Sequence, residues 1–213
     1  MSHILLIEDD PAIALTALRT DLEMASQTGQ SFPVLVERAL AQADRLQALV
    51  DNLLNLSRIE AHENMHSPVD LAVLVQETGE LFASQAEQAG LSFALEGVES
   101  SAQVMGNEAQ LRSAIGNLIE NAIKFTPEKG QIGVGLKADD DGWQVWVEDN
   151  GVGIPPEEIP HLFQRFHRGR HVSDFPGNGL GLAIVKAIAD AHEGRVAVEN
   201  LNPGARFSIW IPK

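Results

Sequence analysis

The sequence has no cysteine, few basic residues and no long apolar run. Without cysteine the chain forms neither disulfides nor thiolate sites, which fits a reducing cytoplasm. Its 15 Lys and Arg are scattered among 30 Asp and Glu, and the formal net charge is −15, so binding to nucleic acid or to an anionic membrane is not indicated. No apolar run approaches the ~18 residues of a membrane span. We therefore expect a cytoplasmic chain, on its own or as the soluble part of a membrane sensor.

The 213 residues, 44% of them hydrophobic, suffice for one ordinary domain with a smaller appendage. The appendage is predicted near the N-terminus, where residues 12–27 and 34–60 have helical periodicity and flank the turn "TGQSFP". In the second helix leucines recur in steps of three and four from Leu46 to Leu56. Dimerisation of this hairpin into a four-helix bundle is the simplest way to cover that stripe, and packing on the rest of the chain is the alternative.

After the polar linker "AHENMHSP" the pattern changes to mixed α and β, which predicts an α+β chain. Helices are predicted at 69–89, 107–125 and 180–192, and strands at 91–98, 131–138, 143–149, 195–200 and 205–212. Roughly 30 residues between Asp149 and Gly181 have little apolar periodicity. Irregular segments of that length inside compact domains are usually functional.

The predicted helix "NEAQLRSAIGNLIENAIKF" has a polar face beside its apolar one. At 100° per residue Asn117, Asn121 and Lys124 fall within about 60° of each other. Carboxamide oxygens suit Mg²⁺ that carries phosphate, and an ammonium adds positive charge. Phe125 lies at the border of this face and could touch a ligand. A plain solvated polar face is the alternative.

Two glycine-containing segments follow. In "WVEDNGVGI" the glycines Gly151 and Gly153 let the backbone turn sharply after Asp149, which could accept a hydrogen bond from an exocyclic amine; an ordinary turn is the alternative. In "PGNGLGLAIVKAIADAH" three glycines precede an apolar helix whose free amides and positive end suit an anion. Their spacing is not that of the dinucleotide fingerprint, and no GxxxxGK[ST] loop occurs.

In this order the segments resemble the nucleotide-binding boxes of the sensor histidine kinases, relatives of gyrase and the mismatch-repair ATPases. "NLIENAIKF", "DNGVGI", "LFQRFHRG" and "GNGLGLAIVKAIADAHEG" look like the four boxes of that family. The resemblance implies a two-layer α/β sandwich of the Bergerat type over residues 67–213, with ATP and Mg²⁺ between helices and a mobile lid.

The resemblance also implies a role for each matching residue. Asn121 would ligate Mg²⁺, Asn117 and Lys124 would serve the phosphates, and Arg168 would reach the γ-phosphate. Phe125 would lie against adenine and Asp149 would accept from its amino group, with Gly151 and Gly153 shaping the pocket. Gly177, Gly179 and Gly181 would hinge the lid and hold the phosphates, Leu180 would belong to the same nucleotide-binding segment, and Phe163 and Phe166 would anchor the lid.

The residue at one position helps to distinguish the relatives that hydrolyse ATP from those that transfer its phosphoryl group. The hydrolytic members carry a Glu four residues before the metal-binding Asn, where this chain has Asn117. Phosphoryl transfer needs mainly positioning and charge neutralisation, so the absence of that base favours a kinase over an ATPase. Glu120 could serve as a base, but we expect it to be a solvated helix residue. The i, i+4 histidine pairs His62/His66 and His167/His171 lack a third ligand and do not indicate a metal site.

Residues 15–62 resemble the dimerisation and phosphoacceptor hairpin of the same family, with one departure. A box of the type "SHELRTP" should precede "LTALRT", but the chain has "ILLIEDDPAIA". His3 lies about six residues too far away and is followed by Ile4 rather than by an acid. Residues 1–14 resemble the first strand of a response-regulator receiver, with Glu8, Asp9 and Asp10 at its end. The receiver pattern stops there, because Asp51 lies in a helix rather than after a second strand.

The sequence therefore predicts a histidine kinase core that transfers the γ-phosphoryl group of ATP to a histidine, with its own acceptor box replaced by a receiver-like leader. The alternative is a catalytically silent, dimeric ATP-binding regulator of a response regulator or of a full-length kinase. Expected partners are a response-regulator receiver domain and a second copy of the chain.

Overall fold

A computed structural model describes residues 32–60, 66–97, 101–169, 175 and 178–213. Its helices are α1 (Phe32–Glu60), α2 (Leu71–Gln88), α3 (Glu108–Phe125) and α4 (Gly181–Ala191). Its strands are β1 (Ser67–Asp70), β2 (Ser92–Glu96), β3 (Gln103–Gly106), β4 (Gln131–Asp139), β5 (Gly142–Asp149), β6 (Arg195–Asn200) and β7 (Ala205–Pro212). The predicted helix at 12–27 and the receiver-like leader lie outside the described residues.

A five-stranded sheet in the order β2-β4-β5-β7-β6 forms one layer, and α2, α3 and α4 form the other. Only the β2–β4 pair is parallel; the other three pairs are antiparallel. Alternate residues of β4, such as Ile132 and Leu136, face the helices and are buried, as the period of a strand requires. The predicted α+β class and two-layer sandwich are confirmed.

The apolar stripe of α1 divides between two surfaces. Leu49, Leu56 and Ile59 are buried in the common core, and α1 packs against α4. Val50 and Leu54 lie on another side of the helix and are 45% and 52% exposed. One side of the stripe thus packs on the rest of the chain, as the alternative expectation held, and the other side remains available for a partner.

The helix predicted at 69–89 begins later, at Leu71, because its first residues belong to a strand. β1 pairs in antiparallel fashion with β3 and makes a small second sheet that was not predicted. Asp70 ends β1 and caps α2: its Oδ1 accepts from the Ala72 N–H at 3.0 Å and from the Ala102 N–H at 3.0 Å. These hydrogen bonds lower the pKa of Asp70, the bond from Ala102 most of all. The cap therefore joins the helix to the small sheet.

The described part of the segment between β5 and α4 is irregular apart from one 3₁₀ turn at Ile159–His161. This agrees with the long loop expected there. None of the helices in the described ranges combines the length and the hydropathy that a membrane span requires.

Candidate nucleotide site

Helix α3 presents the predicted polar face. The helix begins at an Asn107 cap whose Oδ1 accepts from the Gln110 N–H at 3.1 Å. Its apolar face, which includes Leu111 and Leu118, is buried against the rest of the core. Asn117, Asn121 and Lys124 are half-buried, so the two carboxamides and the ammonium lie together at the rim of the core. Glu120 at the edge of this face is exposed, although desolvation by its surroundings raises the pKa of its carboxyl.

The start of α4 approaches that face closely. The Asn117 Nδ2 donates to the Ser113 carbonyl at 2.8 Å, which leaves Oδ1 directed to Gly181. A Cβ at Gly181 would lie 2.8 Å from this Oδ1 and 4.0 Å from the Asn121 Nδ2. Leu180, fully buried, anchors the turn, and its N–H is bound by the Asn178 Oδ1 at 3.2 Å. The free amides at the start of α4 are therefore held within a few ångströms of the carboxamides.

Asp149 closes the other side of the site at the end of β5. The side chain is 8% exposed, and Oδ1 accepts from the Gly151 N–H at 2.8 Å. Burial raises the pKa of this carboxyl, against the opposing effect of backbone hydrogen bonds from Gly151 and Ala205. A Cβ at Gly151 would lie 2.4 Å from the Phe125 carbonyl oxygen, so glycine is required where this turn meets the end of α3.

Two contributors to this turn were not predicted. The Asn200 Oδ1 accepts from the Ile154 N–H at 2.9 Å, and the same side chain donates to the Ile154 carbonyl, which holds the segment after Gly153. Gly204 has φ +99°, and a Cβ there would lie 1.8 Å from the Asp149 carbonyl oxygen. The "NPG" turn before β7 was the only local signal, and it does not indicate that the turn meets Asp149 from 55 residues away.

Aromatic rings connect α3 to the lid. The Lys124 Nζ lies 4.6 Å from the centroid of the Phe125 ring, and Phe125 meets Phe175 edge-to-face with centroids 5.2 Å apart. The Arg168 Nη2 donates to the Phe175 carbonyl oxygen. The lid residue Phe175 thus brings Phe125 and Arg168, two predicted site residues, into one cluster.

The base of the lid is held partly by side chains and partly by backbone. Phe163 packs edge-to-face on Phe207 of β7, with centroids 6.5 Å apart. The ring of Phe166 is 44% exposed, and this residue contacts the base through its N–H, which donates to the Gly179 carbonyl at 3.0 Å. Gly179 has φ +65°, and a Cβ there would lie 2.7 Å from the Phe166 carbonyl carbon. Gly177, the third predicted hinge glycine, lies outside the described residues.

The described histidines have other partners. His167 Nε2 lies 2.7 Å from the Glu158 Oε2, and the rings of His66 and His192 stack with centroids 4.9 Å apart. Within the described ranges no group of three or more His, Asp or Glu side chains has the arrangement of a metal cluster. His62 and His171 lie outside those ranges.

The donor set fits Mg²⁺ bound together with phosphate. Mg²⁺ keeps several waters and takes one or two protein oxygens plus phosphate oxygens. The Asn121 carboxamide can supply a hard neutral oxygen, and with Asn117 it lies beside a helix N-terminus that favours anions. The structure brings Asn117 and Asn121 beside the start of α4, and it places the turn after Asp149 against Phe125, whose ring lies by the Lys124 ammonium.

Comparison with known proteins shows the family of the chain. Residues 106–213 match the family "Histidine kinase-, DNA gyrase B-, and HSP90-like ATPase", and residues 14–62 match the family "His Kinase A (phospho-acceptor) domain". The Mycobacterium avium (strain 104) protein named signal transduction histidine-protein kinase/phosphatase MprB is 33% identical to this chain. The match covers 93% of this chain and 40% of MprB, so the chain spans about two-fifths of the length of this curated relative.

Solved structures share the fold over most of the chain. The Acinetobacter baumannii histidine kinase AdeS is similar with a TM-score of 0.75 and 25% identity, covering 93% of this chain and 94% of AdeS. Full-length ShkA, solved in complex with AMPPNP, is similar with a TM-score of 0.72 and 27% identity, covering 93% of this chain and 44% of ShkA.

Proposed function

The chain belongs to the histidine kinase family, and from that premise we propose that it binds Mg·ATP between α3, the end of β5 and the lid and transfers the γ-phosphoryl group to a histidine. In that reaction the bond between the γ-phosphorus and the ADP oxygen breaks, a bond from the phosphorus to an imidazole nitrogen forms, and ADP leaves. Magnesium supplies charge neutralisation of the phosphates when bound.

The observation that carries this proposal is the approach of Gly181 to Asn117. The start of α4 offers free amides to phosphate oxygens, and the two α3 carboxamides lie within a few ångströms of it. A Cβ at 181 would lie 2.8 Å from the Asn117 Oδ1, so the close approach of α4 to the carboxamides depends on glycine at this position.

Each end of the nucleotide has its own residues in this proposal. Asp149, with Gly151 and Gly153 shaping the turn, accepts from the adenine amino group, and Phe125 lies against the base. Asn117 and Lys124 contact the phosphates, and Asn121 holds the metal. Gly177, Gly179, Leu180 and Gly181 allow the lid to fold over the phosphates, and Arg168 reaches the γ-phosphate.

Transfer rather than hydrolysis is supported by the residue at 117. A carboxamide cannot remove a proton from water, whereas an imidazole acceptor needs only to be positioned near the γ-phosphorus. Lys124 and Arg168 favour the reaction by neutralising charge that develops on the phosphoryl oxygens.

We further propose that the acceptor histidine is supplied in trans. The residues before "LTALRT" contain no box of the "SHELRTP" type, and the response regulator would then be phosphorylated through a second, intact chain. The same observation favours the second candidate function, a dimeric ATP-binding module that occupies a response regulator or a full-length kinase without transferring phosphate.

Nucleotide binding is tested by calorimetric titration of the full chain with a non-hydrolysable ATP analogue in Mg²⁺ and in EDTA. We expect binding that weakens in EDTA and in Asn121→Ala, because Asn121 would hold the Mg²⁺ that neutralises charge on the phosphates. A Glu120→Ala control changes an exposed residue at the edge of the same face and should bind like the wild type. Equal binding by wild type and Asn121→Ala would contradict the assigned metal role, and absence of binding would contradict the proposed function.

A further inference from the structure

His192, directly after α4, joins that helix to α3 through both nitrogens of its ring. The residue is 3% exposed. Its Nδ1 lies 2.7 Å from the Ile188 carbonyl oxygen in the last turn of α4, and its Nε2 lies 2.9 Å from the backbone nitrogen of Asn107. Asn107 is the N-cap of α3, the helix that carries Asn117 and Asn121. One buried ring therefore connects the end of one site helix with the beginning of the other.

These two contacts specify one form of the ring. A carbonyl oxygen can only accept, so Nδ1 must carry the hydrogen, and the Asn107 N–H can only donate, so Nε2 must be bare. The imidazole is therefore the neutral Nδ1–H tautomer. A protonated ring would set an N–H against the Asn107 N–H and break the connection to α3.

The hydrogen bonds of His192 lie at the C-terminal end of α4, whereas the proposed phosphate site lies at its N-terminal end. α4 begins at Gly181, beside the Asn117 Oδ1, and ends beside His192, about 17 Å further along a helix of this length. The two helices are thus in contact at both ends of α4, once at the carboxamides and once at the imidazole. A helix held at two points cannot slide or rotate against its neighbour without breaking one of them.

We propose that neutral His192 is a positioning residue for the phosphate half of the nucleotide site, where it fixes the register between α4 and α3. The inference rests on the proposed function, because its readout is nucleotide binding. Adenine recognition at Asp149 depends on β5 and on the turn after it, so it should not depend on His192. Loss of the connection should therefore weaken binding of the triphosphate and leave binding of the nucleoside unchanged.

The surroundings of His192 contain few groups that could stabilise a positive charge. From the segment before β1, His66 stacks on the ring with an interplanar angle of 10°. On α3, Glu108 is bound by Arg112, and on α4, Asp190 is bound by Lys186. Glu193, next in the chain, is exposed. Burial lowers the pKa of His192, and the charge of His66 lowers it further, against the effect of the hydrogen bond to Ile188.

Two substitutions separate positioning from bulk packing. His192→Gln places an acceptor where Nε2 lies and cannot titrate, whereas His192→Phe keeps a ring and loses both hydrogen bonds. At pH 7.5 we expect His192→Phe to bind the Mg·ATP analogue about tenfold more weakly, the equivalent of one buried hydrogen bond, and to bind adenosine within about twofold of wild type. His192→Gln should retain wild-type affinity within about threefold. Both ligands are measured on the full chain by chemical-shift titration.

The pH dependence of stability and of ATP-analogue affinity gives a second test, because a purely packing role of His192 would not change it. Because the folded-state pKa of His192 lies below the unfolded value of about 6.5, the unfolded chain takes up the proton first. The wild type should therefore lose stability, and then affinity for the ATP analogue, as pH falls below about 6.5, and His192→Gln should lack that part of the loss. At pH 7.5 the two should behave alike.

The outcomes are distinct for the inference and for the proposed function. Nitrogen-15 shifts of His192 in the wild-type chain should show a neutral Nδ1–H tautomer at pH 7, a measurement that needs no variant to fold. A different tautomer, equal weakening of ATP-analogue and adenosine binding in His192→Phe, or identical pH profiles for wild type and His192→Gln would overturn the inference. A wild-type chain that binds no ATP analogue would overturn the proposed function, whatever the state of His192.

Discussion

Asp149 carries a carboxylate that is 8% exposed at the end of β5, and its surroundings oppose its ionisation. Because burial raises its pKa, the folded chain takes up a proton more readily than the unfolded chain, so the ionised side chain costs stability at neutral pH. Retention of the charge there is understandable if a ligand needs an acceptor at this position. The charge on Asp149 therefore lowers the stability of the fold but provides the acceptor that the proposed adenine recognition needs.

The substitution Asp149→Asn should separate the effect of this charge on stability from its effect on nucleotide affinity. The amide oxygen can still accept from the Gly151 N–H, one of the two backbone donors to this side chain, and the buried charge is removed, so we expect a melting temperature close to that of the wild type. The amide nitrogen would face the adenine amino group donor to donor, and ATP-analogue affinity should fall roughly 10- to 100-fold. Thermal unfolding and calorimetric titration test the two parts. A variant that binds normally would exclude Asp149 from adenine recognition.

Gly181 gives a second residue-scale prediction. In Gly181→Ala the new methyl group would lie 2.8 Å from the Asn117 Oδ1, so the carboxamide must move. We expect about tenfold weaker binding of the ATP analogue, equivalent to about 1.4 kcal/mol, because the displaced carboxamide no longer lies as it did beside the start of α4. Far-UV circular dichroism should remain that of the wild type.

Gly116→Ala is the matched control on α3. Its Cβ would meet the Phe82 ring at 3.4 Å, an ordinary contact, and alanine favours a helix by up to about 1 kcal/mol over glycine. This variant should bind the analogue normally and be slightly more stable. Similar loss of affinity in both variants would show that Gly181 has no special relation to the phosphates.

Both expectations for the apolar stripe, packing on the rest of the chain and dimerisation, concern helix α1. Leu56 and Ile59 pack on the rest of the chain, whereas Leu40, Val50 and Leu54 are 59%, 45% and 52% exposed and lie within about 80° of one another around the helix. An exposed apolar face on a helix that matches the phospho-acceptor domain family supports the proposed homodimer.

Leu54→Asp should therefore dissociate the dimer without affecting the nucleotide site. A charge at the centre of an apolar helix interface is left unpaired and desolvated, so we expect a monomer in sedimentation equilibrium at micromolar concentration. The control, Ala48→Asp, introduces the same charge at an exposed residue about 120° around the same helix from Leu54 and should remain dimeric. A dimeric Leu54→Asp variant would place the interface elsewhere.

The strands of the five-stranded sheet were predictable from the sequence, and the two short strands of the small sheet were not. β6 and β7 match their predicted bounds because alternation over six and eight residues is a strong signal. β1 and β3 have four residues each, and β1 contains Pro68, so the apolar spacing after it was attributed entirely to α2. Only the pairing of β1 with β3, about 35 residues apart in the chain, gives these segments their strand structure.

The site was predictable as a set of residues but not as a set of contacts. Helical periodicity placed Asn117, Asn121 and Lys124 on one face, because that depends on local geometry alone. The approach of Gly181 to Asn117 and the bond from Asn107 to His192 join segments 64 and 85 residues apart, and no local pattern encodes them. The lid was predictable as irregular, but its contacts through Phe175 depend on packing.

At the scale of the whole molecule, the proposed ATP site and the histidine that accepts the phosphoryl group have to be considered separately. The described residues contain the carboxamides, the helix N-terminus and the buried Asp149 of the proposed nucleotide site, while the proposed absence of an acceptor box rests on the sequence before "LTALRT". Proposed activity in trans follows from that separation. A kinase that lacks its own acceptor box needs a second chain, and a binding module does not.

The most direct test is incubation of the full chain with Mg·ATP, with and without a separate hairpin that carries an intact acceptor box. Acid-labile phosphohistidine is then sought on both chains by mass spectrometry, with Asn121→Ala as the control. We predict phosphohistidine on the added hairpin only, and none with Asn121→Ala. Phosphohistidine on this chain alone would contradict the missing acceptor, and ATP binding without phosphohistidine on either chain would contradict the kinase and favour the regulatory module.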